Sequence, residues 1–212
     1  MMLFLQSNGV STAYAAKIYR TYGKDSIEKV GNNPYCLADD IWGIGFKTAD
    51  GIAKTMGYGN DDPRRCRSGI LYTLNQLSND GHVYAVKEQL IETAKKLLSV
   101  EDEPLESALQ EMIGAEDVIL EEEAIYLPPF YYAETGTARK LQNLMNTSEG
   151  SLFSKELDIE AISKKTKVEY DDVQIAAIRQ AASSKVMVLT GGPGTGKTTT
   201  TQGIIAAMQE AG

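Results

Sequence analysis

The stretch Ile41-Trp42-Gly43-Ile44-Gly45-Phe46-Lys47-Thr48-Ala49-Asp50-Gly51-Ile52-Ala53-Lys54-Thr55-Met56-Gly57 decides how the front of this chain folds. Its first part is a glycine–hydrophobic–glycine turn. Its second part sets Ala49, Ile52, Ala53 and Met56 at the i, i+3, i+4, i+7 spacing of one buried helix face, and Gly57 follows as a stop. A short helix is expected before the turn, with Asn33 as N-cap and Pro34 at its first position. The unit is therefore helix, tight turn, helix, and it occurs twice. With an offset of 34 residues, Gly9-Val10-Ser11 aligns with Gly43-Ile44-Gly45. Ala15, Ile18 and Tyr22 then align with Ala49, Ile52 and Met56, and Gly23 with Gly57.

On Ile41, Gly43, Ile44, Gly45, Lys47, Ala49 and Ile52 this unit resembles the helix-hairpin-helix motif of DNA repair and recombination proteins. Two glycines let bare backbone approach a ligand closely, and the N–H groups at the next helix start can face a phosphate. Ile44 is expected to plug the turn into the helix pair, and Lys47 to add a charge. The candidate DNA-backbone residues are Gly43, Ile44, Gly45, Phe46 and Lys47, with Gly9, Val10 and Ser11 in the first copy. Such contacts hold the backbone without reading base sequence. The first copy departs from the pattern: Ser11 replaces the second glycine and Ala13 replaces Lys47. Its contribution to DNA is expected to be smaller, with helical packing as its alternative role.

The other strong signal is Gly191-Gly192-Pro193-Gly194-Thr195-Gly196-Lys197-Thr198, a complete G-x-x-x-x-G-K-[ST] phosphate loop. Lys185–Thr190 reads as a buried parallel strand leading into it. Thr199–Gln209 reads as the helix that follows. The glycines let the loop curl so that its N–H groups surround phosphates, and the helix N-terminus adds its positive end. Lys197 is assigned to the β/γ-phosphates and the Thr198 hydroxyl to Mg²⁺, with Thr199 completing the nucleotide-binding run. Gln174, upstream, has two readings. With Asp171 it forms a capping-box pattern. Its amide also offers the donor and acceptor that adenine requires.

Charge is distributed unevenly. The chain carries a net charge of −8. Residues 1–65 hold 8 Lys/Arg and 7 Asp/Glu, residues 66–170 hold 10 and 19, and the remainder holds 3 of each. Overall acidity argues against general nucleic-acid binding and leaves room for a local site in the near-neutral front segment. Two cysteines and a single histidine exclude a disulfide scaffold and His-rich metal sites. Cys36 and Cys66, without spacing partners, read as reduced cytosolic thiols, so a cytoplasmic location is expected, and no apolar run is long enough to span a bilayer, so no membrane partner is expected.

Ile70, Leu71, Leu74 and Leu77 mark one helix of the middle region, Leu90, Ala94, Leu97 and Leu98 a second, and Leu105, Leu109 and Met112 a third. His82–Val86 reads as a short strand, and Val118–Leu120 with Ala124–Leu127 as a hairpin. That is a winged-helix-like outline. Ten acidic residues between Glu101 and Glu123 favour a protein-facing or spacer role over DNA contact. A helix, a Ser/Gly-containing connection over Thr147–Ser151 and a further helix near Asp158–Lys167 follow.

Gln174-x-x-Ala177-Ile178, followed by VMVLTGGPGTGKTTT, resembles superfamily 1 DNA helicases. Among them the chain is most similar to the RecD-type, or exodeoxyribonuclease V alpha subunit, family in its long form with a helix-hairpin-helix array ahead of the motor. Asn33–Ala38, Gly43–Asp50 and Ile125–Pro128 carry that similarity. It implies an ATP- and Mg²⁺-dependent 5′→3′ DNA-unwinding motor in recombination and repair, with Gln174 reading adenine. The expected fold is mainly α. Tandem helix-hairpin-helix units fill 1–62, a winged-helix-like domain 63–134 and a helical connector 135–170. The first strand, loop and helix of a RecA-like α/β domain follow at 171–212. A lone strand–helix pair builds no sheet, so the chain is expected to be part of a longer protein and inactive by itself. The rival reading is a DNA-binding accessory module of another P-loop ATPase, clamp-loader-like or a recombination factor.

Overall fold

The computed structural model describes residues 2–147 and 157–211, which divide into two compact units, 1–133 and 134–212. The first unit opens with two helical pairs. α1 (Met2–Ser7) and α2 (Thr12–Tyr22) flank the first glycine turn. α3 (Ser26–Asn32), α4 (Cys36–Asp40) and α5 (Phe46–Thr55) bring in the second. α4 starts at Cys36, two residues later than the sequence suggests, because the chain first makes a tight turn through Asn33 and Pro34. Asn33 still serves that start: its Oδ1 accepts the Tyr35 N–H at 3.1 Å.

The repeat expected from sequence is present in the backbone. Gly9 and Gly43 adopt φ of +79° and +90°, a region that side chains with a Cβ rarely enter. Val10 and Ile44, one residue on, are both buried, each stabilising its turn by roughly 1.5–3 kcal/mol. Ala15 and Ile18 of α2, like Ala49, Ile52 and Ala53 of α5, face inward as the periodicity requires.

α6 (Pro63–Asn79), β1 (Tyr84–Val86), α7 (Lys87–Leu98), α8 (Asp102–Gly114), β2 (Ile119–Glu121) and β3 (Ala124–Tyr126) complete the unit. The sheet is antiparallel in the order β1-β3-β2, with Ala85 opposite Ile125 and Leu120 opposite Ile125. This is the winged-helix outline. Its core is continuous with that of the hairpin helices, from Leu5 and Ile18 through Ile70 and Leu105 to Ile125. The segments separated in the sequence at 62/63 therefore share one apolar interior.

α9 (Pro128–Asn146) contains the boundary between the units. In the second unit, α10 (Ile159–Thr166), α11 (Asp172–Ser183) and α12 (Lys197–Ala211) pack around Ile162, Tyr170, Ile178, Ala206 and Ala207. Of the connection expected over Thr147–Ser151, all but Thr147 lies outside the described residues. One expectation is corrected here. Lys185–Thr190 forms no strand, and Val188 is 85% exposed. A buried parallel strand needs hydrogen-bonded neighbours on both edges and helices on both faces, and the described residues of this unit supply no strand to pair with it. The helix after the loop is nonetheless fixed, because α12 buries Ala206 and Ala207 with α10 and α11.

Candidate phosphate-binding sites

Both candidate sites are glycine turns that run into a helix N-terminus. In the first unit, the two hairpins differ at the N-cap. Ser11 caps α2, its Oγ accepting the Tyr14 N–H at 3.3 Å. Gly45 caps α5 in an extended conformation, and no side chain takes that role. Its own carbonyl accepts the Thr48 and Ala49 N–H groups, so the donors of Phe46 and Lys47 are those that a phosphate oxygen would meet. Lys47 is exposed at this edge.

The side chains assigned to DNA from the sequence sort into two groups. Gly43, Gly45 and Lys47 are exposed, as are Gly9 and Ser11 to varying degree. Val10, Ile44 and Phe46 are buried. Phe46 is a correction: its ring stacks on Tyr35 at 6.2 Å between centroids and tilts against Tyr72 at 5.3 Å. Only its backbone N–H is available to a ligand.

Three residues that the sequence reading passed over converge on the second hairpin. Trp42 is 92% exposed at the turn. Lys17 of α2 donates to the Trp42 carbonyl at 3.3 Å, and its ammonium lies 5.7 Å from the indole centroid. The Tyr14 hydroxyl donates to the Gly43 carbonyl at 3.3 Å. The first repeat thus braces the second. The chain's single tryptophan, set in the glycine turn between Ile41 and Gly43, was the available signal.

Behind the hairpin, Arg65 of α6 fixes α5. Its Nε and Nη2 donate to Asp50 at 2.7 and 3.3 Å, and Nη1 donates to the carbonyls of Asn60 and Leu98. Asp50 also accepts the Tyr35 hydroxyl at 3.0 Å and pairs with Lys54 at 2.9 Å. Burial alone would push the Asp50 carboxyl up. The bonds from Arg65, Lys54 and Tyr35 outweigh it and hold the carboxyl below its ordinary range.

In the second unit, Gly194 and Gly196 sit at φ of +76° and +75°, which curls the loop before α12. The Lys197 ammonium turns back and donates to the carbonyls of Gly191 and Gly192 at 2.7 and 2.5 Å. Thr195 Oγ1 donates to the Gly192 carbonyl at 2.9 Å. The Thr198 hydroxyl is on the exposed side and Thr199 is half-buried. Pro193 is exposed within the same turn.

Gln174 combines its two readings in one position. Its Oε1 accepts the Asp171 N–H at 3.1 Å, and its own N–H donates to Asp171 Oδ1 at 2.8 Å, a complete capping box. Its Nε2 faces Gly196 so closely that a Cβ there would lie 2.5 Å away. The amide therefore stands at the phosphate loop with its donor end free and its acceptor bonded in the helix cap. The amide oxygen keeps a second lone pair beside the cap bond, so both ends remain open to adenine.

The bare backbone at Gly191, Gly194 and Gly196 and the lysine at the loop's end fit a nucleotide triphosphate. Among the described residues no group of three or more His, Cys, Asp or Glu side chains could hold a metal ion. No described helix is long and apolar enough to cross a membrane.

Residues 1–84 match the family model of the ATP-dependent RecD2 DNA helicase HHH domain, and residues 174–212 match an AAA domain model. The chain is 29% identical over 229 aligned positions to the ATP-dependent RecD2 DNA helicase of Deinococcus radiodurans, a match that covers 98% of this chain and 31% of that protein. Hairpin region, phosphate loop and similarity along nearly all of this chain agree: its front is similar to the helix-hairpin-helix domain of RecD2-type DNA helicases and residues 174–212 to an AAA domain, and the chain spans about a third of the length of the curated relative it matches.

Proposed function

We propose that this chain is the DNA-engaging front and the phosphate cradle of a cytoplasmic ATP-dependent helicase that moves 5′→3′ on DNA in recombination and repair. The observation that carries this reading is the joining, in one chain, of an uncapped glycine hairpin to a phosphate loop with Gln174 seated on Gly196. The same seating favours the helicase over an accessory ATPase module.

When bound, ATP with Mg²⁺ supplies the phosphoryl transfer that powers movement. Lys197 exchanges the Gly191 and Gly192 carbonyls for phosphate oxygens, so the loop gives up internal contacts to accept a ligand. The Thr198 hydroxyl is placed one residue into α12, where it can join the ion's shell. The backbone N–H groups of Phe46 and Lys47, left open by Gly45, and the Lys47 charge hold a DNA phosphate, leaving base identity unread. The 212 residues alone are expected to bind nucleotide without turning it over.

The test is made on the intact protein that carries this stretch. ATP turnover should rise with single-stranded DNA, and Lys197→Ala should lower it by ~10²-fold or more. Duplexes with a 5′ tail should unwind and those with a 3′ tail should not. Undiminished turnover in the variant removes the phosphate assignment, and unwinding from a 3′ tail removes the direction.

A further inference from the structure

Trp42 is the chain's one tryptophan, and it stands almost wholly in solvent. Its backbone is nevertheless fixed. Lys17 binds the Trp42 carbonyl, Tyr14 binds the Gly43 carbonyl, and Ile44 anchors the turn in the core. The ring is thus a large apolar face presented on a rigid turn, with a cation 5.7 Å from its centroid. Indole is costly to leave in water, and fold packing makes no use of this ring. A scattered exposed leucine needs no such account. The position is three residues before Gly45 and five before Lys47, on the same turn that opens α5.

We propose that Trp42 is a stacking platform for an unpaired base of the DNA strand held by the second hairpin. This rests on the reading of that hairpin as a phosphate site. Base–aromatic stacking tolerates every base, because each has a π-face, and so it suits contacts that read no sequence. It also discriminates by strandedness. Inside a duplex the bases are already stacked on one another, and the ring has no partner. The hairpin alone would hold single and double strands through the same phosphate. With Trp42 it favours the single strand. Lys17 neutralises part of the local backbone charge and keeps the indole's turn from yielding when a base presses on it.

The 212-residue chain carries its own probe, since all tryptophan emission comes from Trp42. Single-stranded oligonucleotides should quench that emission, and closed circular duplex, which offers phosphates without ends, should not. Trp42→Ala should weaken single-strand binding by about 5- to 150-fold and leave the salt slope unchanged, while Trp42→Phe should recover most of the loss. Circular dichroism of each variant checks that the fold is retained. Binding that depends on Lys47 with no quenching and no loss in Trp42→Ala overturns the stacking role and keeps the phosphate site. Equal quenching by single strand and circular duplex also overturns it. No binding of either DNA by the wild-type chain overturns both readings together.

Discussion

Asp50→Ala is expected to destabilise the first unit severely, through a charge that it does not itself carry. Arg65 is 2% exposed, and Asp50 is its only carboxylate partner among the described ion pairs. Removing the carboxylate leaves a buried guanidinium with two carbonyl contacts, at 2.7 Å to Asn60 and 2.9 Å to Leu98, and a Tyr35 hydroxyl without its acceptor. Breaking one side of a buried pair costs about 3–5 kcal/mol. The surviving carbonyl bonds place this case near the lower end, at ~3 kcal/mol. For a unit of this size that corresponds to a fall in Tm of about 10–15 °C. The assay is thermal and urea unfolding followed by circular dichroism. Arg65→Met with Asp50→Leu should be less damaging than the sum of the single changes, because the double variant leaves no orphaned charge. A loss under ~1 kcal/mol for Asp50→Ala would refute the argument, since the pair would then be solvated rather than buried.

The same carboxylate sets a pH dependence. Folding lowers its pKa, so the unfolded chain binds the proton more readily; the stability it contributes is complete above the unfolded value of ~3.9 and is lost as pH falls through the depressed folded value, measurable as urea midpoints across an acid series. Ser11→Ala should cost ~1 kcal/mol through the lost cap of α2, with DNA affinity changed less than about twofold, checked by unfolding and DNA titration in parallel. Gly43→Ala should cost ~1–2 kcal/mol, because its φ is +90° and the new Cβ would lie 3.2 Å from the Lys17 ammonium, and unfolding midpoints report it. Gly196→Ala should weaken nucleotide binding measured by calorimetry, because its φ of +75° strains any residue with a Cβ and the Gln174 amide would have to shift from the loop.

Much of this was legible along the chain because it is local. A positive-φ glycine, the buried residue after it and the helix spacing that follows are all set within a dozen residues, so the paired turns at Gly9 and Gly43 could be read directly. The capping box at Asp171 and the loop at Gly191–Thr198 are local as well. What was missed depends on distant partners. Lys17 and Trp42 lie 25 residues apart, and nothing in either neighbourhood announces their contact. Arg65 reads as a surface residue until Asp50, Asn60 and Leu98 surround it. Phe46 sits inside the motif yet belongs to the core, because Tyr35 and Tyr72 flank it. Lys185–Thr190 shows the opposite failure: its apolar pattern suits a strand, but strand structure is made by neighbours, and no pairing strand is among the described residues of that unit.

The central claim is that an uncapped, glycine-opened helix start holds a DNA phosphate. Salt titration of single-stranded DNA binding by wild type, Gly45→Ala and Lys47→Ala tests it most directly. If Lys47 neutralises one phosphate, its removal lowers the slope of log K against log salt by roughly 0.7–0.9, and the loss of affinity is even across DNA sequences. Gly45→Ala should weaken binding at unchanged slope, because it blocks approach without removing charge. Equal affinities and equal slopes for all three proteins would contradict the account and return the hairpin to helical packing alone.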